Sequence, residues 1–462
     1  MKISLLGISA QSVRDSLQEH VSIGRFVLKW LLIAIPVGLV IGSACALFVS
    51  SLNSVTNYRE LHPGLLFFLP LAGIAVVMLY HYFGQSVEQG SDLIVDAIHQ
   101  PGGEVPRRMA PIIFIASLIT HLFGGSAGRE GSALQIGAGI ASSFAKLFKL
   151  QPADRRLLLM AGIAGGFGAV FGTPLAGAVF ALEVLAVGTL KYDGLLPCLI
   201  ASVVGDITCR LWGINQVHHM IASAASMMPA KSSAIGLFRF EWFLLAKVAL
   251  VAIVFGLTSR VFSEMTHGVH KLFKRVKYYW LRPVVGAVIV IGLTYALGTR
   301  DFLGLGVSSL NPHAVTIESA FVKGGVAPLS WLWKLVFTVV TLGSGFKGGE
   351  VTPMFFIGAT LGNVLAVLLD APVELFAGLG FVAVFAGAAN TPLACTILSV
   401  ELFGSDNLVY FAVAVFLSYI FSGHSGVYLS QRVVDSKGLT IDLPSNASLG
   451  SIRKLHSDAP ES

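Results

Sequence analysis

The sequence predicts an all-α polytopic membrane protein made of two related halves, with helices broken at matching places. Three observations carry this. The 462 residues are 55% hydrophobic and only 12% charged, against about 25% charged residues in soluble domains. Apolar runs recur at 26–52, 65–82, 110–123, 243–257, 284–297, 331–342, 354–369, 375–389 and 409–422. Two glycine-rich breaks, each followed by a Thr-Pro-Leu-Ala segment, occur in the same order in both halves.

The run at 26–52 is expected to be the first anchor. The polar stretch "MKISLLGISAQSVRDSLQEHV" before it lacks the apolar core and small-residue cleavage site of a signal peptide. Residues 1–22 therefore read as an uncleaved cytoplasmic segment. Several later runs fall short of the roughly 20 apolar residues that a crossing needs. Short, glycine-interrupted segments persist in lipid only when buried in protein or lining a polar cavity, which favours a transporter or channel over a simple anchor.

The net charge is +6, and basic residues cluster at Lys146, Lys149, Arg155 and Arg156 and at Lys271, Lys274, Arg275 and Lys277. Such clusters mark cytoplasmic loops facing anionic headgroups, so the expected partner is the lipid bilayer and not nucleic acid. Cys45, Cys198, Cys209 and Cys395 are scattered without CxxC spacing, and the twelve histidines contain no HExxH. Neither a metal site, a disulfide scaffold nor a cofactor is expected.

The duplication is legible position by position. "GTPLAGAVFALEVL" starts at Gly172 and "NTPLACTILSVELF" at Asn390, an offset of 390 − 172 = 218, and Glu183 matches Glu401. Upstream lie "GGSAGREGSALQIGAGI" and "GSGFKGGEVTPMFFIGATLG", whose ends are offset by 357 − 136 = 221. Internal repeats with broken helices at corresponding places point to a midplane binding site. The expected halves are 23–225 and 226–435, followed by a polar cytoplasmic tail at 436–462.

Broken helices suit an anion. A helix start leaves about four N–H groups free and carries roughly half a positive charge, so it holds a negative ion without a cationic side chain. "GREGS" and "GGEVTP" both read as loop followed by helix start. Glycine-mediated helix packing would explain the glycines, but it does not explain Glu130 and Glu350. An intramembrane carboxylate is costly and marks a proton or ion route. At "EQGSDLIVDAI", Ser91 or Asp92 reads more simply as a helix N-cap. A lone Tyr428 in "GHSGVYLSQRVV" reads more simply as an interfacial anchor.

Taken together, these motifs resemble the CLC family of anion channels and anion/proton antiporters, over residues 26–435. "GREGS" is similar to the family's GREGP, whose glutamate is the external gate, which maps to Glu130. "GSDLI" stands at GSGIP, which maps Ser91 to the anion-coordinating serine. "GEVTP" stands at GxFxP, and Tyr428 falls at the central anion-coordinating tyrosine. The resemblance implies two inverted-topology repeats whose broken helices meet at a midplane anion site, and a homodimer with one pathway per subunit. It implies anion binding by Ser91, Gly128, Arg129, Gly131, Gly349, Val351, Thr352 and Tyr428, and gating or proton transfer by Glu130 and Glu350.

The departures from the chloride pattern refine this. Chloride antiporters pair two glutamates after PLAG, the second being the internal proton acceptor, but here Glu183 is followed by Val184. Glu350 and Thr352 stand where chloride members are apolar. This combination resembles the fluoride/proton antiporter branch, in which GGEVT recurs, whereas Ser91 keeps the chloride-type residue. The tail after Ser430 is too short for the CBS domains of eukaryotic relatives. The expected function is fluoride export coupled to proton import across a bacterial-type cytoplasmic membrane, not enzymatic catalysis. A chloride/proton antiporter and a passive CLC-type chloride channel are the alternatives.

A remote alternative, an intramembrane aspartyl protease, would use Asp193 and Asp206. Its GxGD motif fails at Val203, and the 206 − 193 = 13 residues between the aspartates would separate them by roughly 20 Å on one helix. Lys347 is the only basic neighbour in sequence for Glu350, and a Lys347–Glu350 surface pair with Thr352 as N-cap would be the bland reading of that turn. If Val184 is off the proton route, Val184→Glu should leave the protons carried per anion unchanged in a liposome pH assay. A gain in coupling would show that the chloride-type route operates.

Overall fold

In lipid there is no water to satisfy backbone groups, so a chain of this composition must bond internally as helices. The computed structural model describes residues 10–100, 102–214, 221, 233–235, 238–438 and 447–458. The first half runs α1 (Ala10–Leu61), α2 (Leu69–Leu79), α3 (Ser91–His99), α4 (Met109–Leu122), α5 (Glu130–Leu147), α6 (Pro152–Phe171), α7 (Pro174–Glu183) and α8 (Leu195–Leu211). The second runs α9 (Trp242–Lys274), α10 (Leu281–Leu297), α11 (Ser330–Gly343), α12 (Val351–Leu368), α13 (Val373–Ala389), α14 (Pro392–Phe403) and α15 (Leu408–Phe421), with α16 (Leu449–Asp458) beyond. Short β1 (Ala186–Val187) pairs in parallel with β4 (Arg432–Val433), and β2 (Ser233–Ile235) with β3 (Phe238–Phe240) in antiparallel fashion.

Among the described residues, five helical stretches are long and apolar enough to cross a membrane. The expected run at 26–52 is the middle of the 52-residue α1, which also takes in much of the segment read as a separate N-terminal piece. Hydropathy missed α6, whose small residues score weakly although every one from Leu157 to Phe171 is buried. The expected boundary at 225/226 lies outside the described residues.

The duplication is exact in register through the breaks. From α4 to α11 the offset is 330 − 109 = 221 at the start and 343 − 122 = 221 at the end. From α5 to α12 it is 351 − 130 = 221 and 368 − 147 = 221. It then falls to 392 − 174 = 218 between α7 and α14. The missing three residues are lost within one helix, since α6 has 20 residues and α13 has 17. Both end in the left-handed conformation, at Gly172 (φ 70°) and Asn390 (φ 58°), and asparagine is among the few side chains that tolerate it.

Contacts between the halves are reciprocal. Leu393 N and Ala394 N donate to Glu183 at 2.9 and 2.8 Å, while Leu175 N and Ala176 N donate to Glu401 at 3.0 and 2.8 Å. Residue i of one half meets j of the other, and j's counterpart meets i's, which requires two-fold pseudosymmetry between them. The physics is that of capping. Pro174 and Pro392 open α7 and α14, whose N-cap threonines make no side-chain cap bond. The glutamate of the opposite half satisfies the orphan amides and sits at the positive helix pole. Glu183→Ala would strand two amide donors in the interior and should lower stability by about 2 kcal/mol, read by thermal unfolding in detergent, with Glu183→Gln intermediate. An unchanged melting temperature in Glu183→Ala would show that the clamp is not structural.

Candidate functional site

The site grows from the two breaks. Between α4 and α5 the chain turns through 123–129, and between α11 and α12 through 344–350. Gly128 N donates to Gly349 O at 2.5 Å and Gly349 N to Gly128 O at 2.8 Å, an antiparallel bridge between equivalent residues (349 − 128 = 221). Only glycine fits so close a crossing: a Cβ on Gly349 would stand 2.6 Å from Gly131 N, and one on Gly128 would stand 2.6 Å from Thr352 Oγ1. The first turn is braced by residues that carried no signal in the sequence. Buried His121 bridges Ser117 O at 2.7 Å and Ala127 O at 3.1 Å. Ser126 bonds to Thr338 and Thr341 on α11 at 3.0 and 3.2 Å.

This crossing delivers Glu130, the first residue of α5, to the start of α12. The side chain is 1% exposed. Its Oε2 accepts from Thr352 N at 3.1 Å, from the Thr352 hydroxyl and from Arg129 N at 3.3 Å, while Arg129 Nε lies 3.3 Å from Oε1. The carboxylate therefore sits at a helix pole, surrounded by amide, hydroxyl and guanidinium donors that suit a negative charge. Thr352 Oγ1 also accepts from Arg129 N at 3.2 Å. A cavity of about 420 Å³ reaches this point, lined by Arg129, Glu130 and Thr352 together with Glu60, Glu318 and Phe381.

Other residues enter from beyond the turns. Tyr428, in the loop after α15, is buried, and its hydroxyl has no hydrogen-bond partner. Glu130, Glu350 and Asp92 all lie within electrostatic reach of that hydroxyl. Glu350 is the half-buried N-cap of α12, with Oε2 3.3 Å from where a Cβ on Gly131 would stand. Lys347 does not pair with it: Nζ donates to Glu88 O at 3.0 Å and sits over the Tyr80 ring at 4.6 Å.

Several expectations need correction. Both helices start earlier than read, at Glu130 and Val351, so Thr352 lies inside α12 and is not its N-cap. The amides of Gly128 and Gly349 are taken by each other's carbonyls, whereas for the first-turn amides of Gly131 and Val351 no bond is found among the described residues. The N-cap of α3 is Gly90, not Ser91 or Asp92. Half-buried Ser91 makes no described side-chain bond, while its neighbour Asp92 accepts from Ser430 N at 2.9 Å. Gln431, fully buried, was also missed: its Nε2 donates to Val184 O and Ala389 O, both at 2.8 Å, and so ties the Tyr428 loop to the ends of α7 and α13. The aspartyl protease fails on geometry, because Asp193 pairs with Arg156 at 2.7 Å and Asp206 with Arg210 at 2.9 Å, in separate places.

A family model described as "Voltage gated chloride channel" matches residues 72–423. The chain belongs to this family, the CLC family. A "Chloride/fluoride channel protein" of Pseudomonas syringae pv. tomato is 44% identical over 448 residues, covering 96% of this chain and 94% of the relative. Among solved structures, a "CLC-type fluoride/proton antiporter" superposes with a TM-score of 0.80 at 32% identity, covering 88% of this chain and 98% of the other. A "slow cyanobacterial Cl-/H+ antiporter" gives 0.69 at 18% identity over 85% and 94%, a likeness of fold. The protein is thus an all-α, multi-pass CLC membrane protein, and its two breaks meet where Glu130 is lodged.

The Glu130–Thr352 contact is directly testable. In a double-mutant cycle of Glu130→Ala and Thr352→Val, thermal unfolding should show a coupling of about 1–2 kcal/mol, as expected for a hydrogen bond to a buried carboxylate. Additive effects would mean that the side chains do not meet.

Proposed function

We propose that the protein is a fluoride/proton antiporter, exporting fluoride in exchange for inward-moving protons. The observation that carries the reading is Glu130 lodged at the N-terminal pole of α12 against the Thr352 hydroxyl. A carboxylate and an anion compete for one pole. Ionised, Glu130 holds it. Protonated, it loses its attraction to the pole, leaves, and carries a proton as the anion takes its place. Exchange follows from this competition without a cofactor, since the proton gradient supplies the work.

Fluoride is small and strongly hydrated, so a site that takes it must replace strong water hydrogen bonds with donors of its own. The Tyr428 hydroxyl lacks a protein partner, and Thr352 Oγ1 and the Gly131 and Val351 amides lie at the two helix starts. Arg129 Nε lies 3.3 Å from Glu130 Oε1. Glu350, with Lys347 turned away from it, is the second proton carrier. The superposed antiporter, named for fluoride, supports this choice, and the Pseudomonas relative is named for both chloride and fluoride. In this reading 23–225 and 226–435 are the two repeats, 1–22 and 436–462 flank them in the cytoplasm, and the chain works as a homodimer in a bacterial-type cytoplasmic membrane.

Purified protein in liposomes, with fluoride, chloride and pH followed together, tests this. Fluoride efflux should draw protons inward, and chloride should move far more slowly. Glu130→Gln should uncouple or stop exchange, and Glu350→Gln should slow it by about tenfold or more. Thr352→Ala should narrow the preference for fluoride over chloride. Equal chloride flux in the native protein would transfer the reading to a chloride/proton antiporter, and fluoride flux without proton movement would make it a passive channel.

A further inference from the structure

We infer that Asp92 is a positioning residue of the anion site, holding the Tyr428 loop so that the tyrosine hydroxyl is aimed at the transported anion. The inference rests on the antiporter reading for the identity of the ligand, but its geometry stands apart from it.

Asp92 lies in the first turn of α3. A carboxylate there ordinarily serves its own helix, as a cap or as a counter-charge to the helix pole. The N-cap of α3 is Gly90, with no side-chain cap bond, and no bond from Asp92 to its own helix start is described. Instead its Oδ1 accepts the backbone N–H of Ser430 at 2.9 Å, across 338 residues of sequence. One turn further, on the same face of the helix, Asp96 Oδ2 accepts the Ser430 hydroxyl at 2.8 Å, and Asp96 Oδ1 lies 3.7 Å from Arg432 Nη2. Two carboxylates of α3 thus grip the segment that begins two residues after Tyr428. The opposite side of that segment is held by backbone bonds from α16, Leu449 N to Gln431 O and Gly450 N to Leu429 O, both at 2.9 Å.

The result is a loop held on both sides in which the buried hydroxyl of Tyr428 is left without a partner. A buried hydroxyl without a hydrogen bond is costly, and a fixed loop prevents it from turning away to find one. The donor is thereby reserved for a ligand. The position of α3 fits the role: Gly90, at φ 59°, brings the start of α3 against Gln135 on α5, where a Cβ would stand 3.3 Å from Gln135 Nε2. The carboxylate clamp is therefore referenced to the same helix that carries Glu130. Ser91, next to Asp92, makes no described side-chain bond, so on this helix it is the aspartate that connects to the anion-coordinating loop.

The test is fluoride efflux from vesicles at graded internal fluoride, giving half-saturation and maximal rate, together with amide exchange at residues 429–433. Asp92→Ala should raise half-saturation about tenfold, the worth of one hydrogen bond to the anion, while the maximal rate changes less. Asp92→Asn keeps an acceptor for Ser430 N and should return half-saturation to within about twofold of native. Tyr428→Phe should raise half-saturation similarly, and the double variant with Asp92→Ala no further than the larger single effect. Exchange at 429–433 should quicken in Asp92→Ala and not in Asp92→Asn. Multiplying effects of the Ala and Phe variants, or unchanged half-saturation in Asp92→Ala, would overturn the inference. If Asp92→Ala does not fold, Asp92→Ser, too short to reach Ser430 N, takes its place in the same arms. If the native protein moves chloride and not fluoride, the fluoride reading fails. The same arms run with chloride then decide the role of Asp92.

Discussion

Everything at the centre of this protein depends on the mutual hydrogen bonds of Gly128 and Gly349. Two chain breaks cross there with no side chain between them, and the crossing sets the starts of α5 and α12 against each other. A helix pole is a diffuse, short-range source of positive potential, felt only within about its first turn. Two poles can act on one ion only if their backbones approach this closely. Glycine at 128, 131 and 349 is therefore a packing requirement before it is a binding one. It also explains why Glu130, carried on one pole, is answered by Thr352 on the other.

A second layer of contacts keeps that crossing in register. Glu183 and Glu401 cap α14 and α7 across the pseudo-two-fold relation, so each half completes the other's helix starts. Neither half satisfies its own orphan amides at these points. A carboxylate in lipid is costly unless it is fully bonded, and here two backbone donors per glutamate meet that demand. Within one repeat, then, Glu183 caps a helix start of the other half, while Glu130, in the break upstream, is bonded to groups that an anion could replace.

The Tyr428 loop reaches the site from beyond the two breaks. It is held by α3, whose place in the 298–329 stretch of the second half is taken by no α-helix but by a short 3-10 turn at Ser319–Phe321, by Gln431 reaching the ends of α7 and α13, and by α16. The C-terminal segment is consequently part of the fold: Leu449 and Ile452 are buried with Val187 and Val433. A tail that looks polar by composition still packs two apolar residues where β1 and β4 pair.

The sequence by itself determined the membrane class, the duplication and the two breaks, because these are written in composition and in local identity at a constant offset. It also singled out Glu130, Glu350, Thr352 and Tyr428, since buried charges and helix breakers are conspicuous against an apolar background. Only the tertiary structure decided what each residue faces. Periodicity says nothing of partners hundreds of residues away, so the turning of Lys347 to Glu88 O, the mutual capture of the Gly128 and Gly349 amides and the bracing by His121 and Gln431 were invisible. Asp92 was misread for the same reason: a first-turn aspartate serves its own helix by default, and only the fold brings Ser430 within its reach.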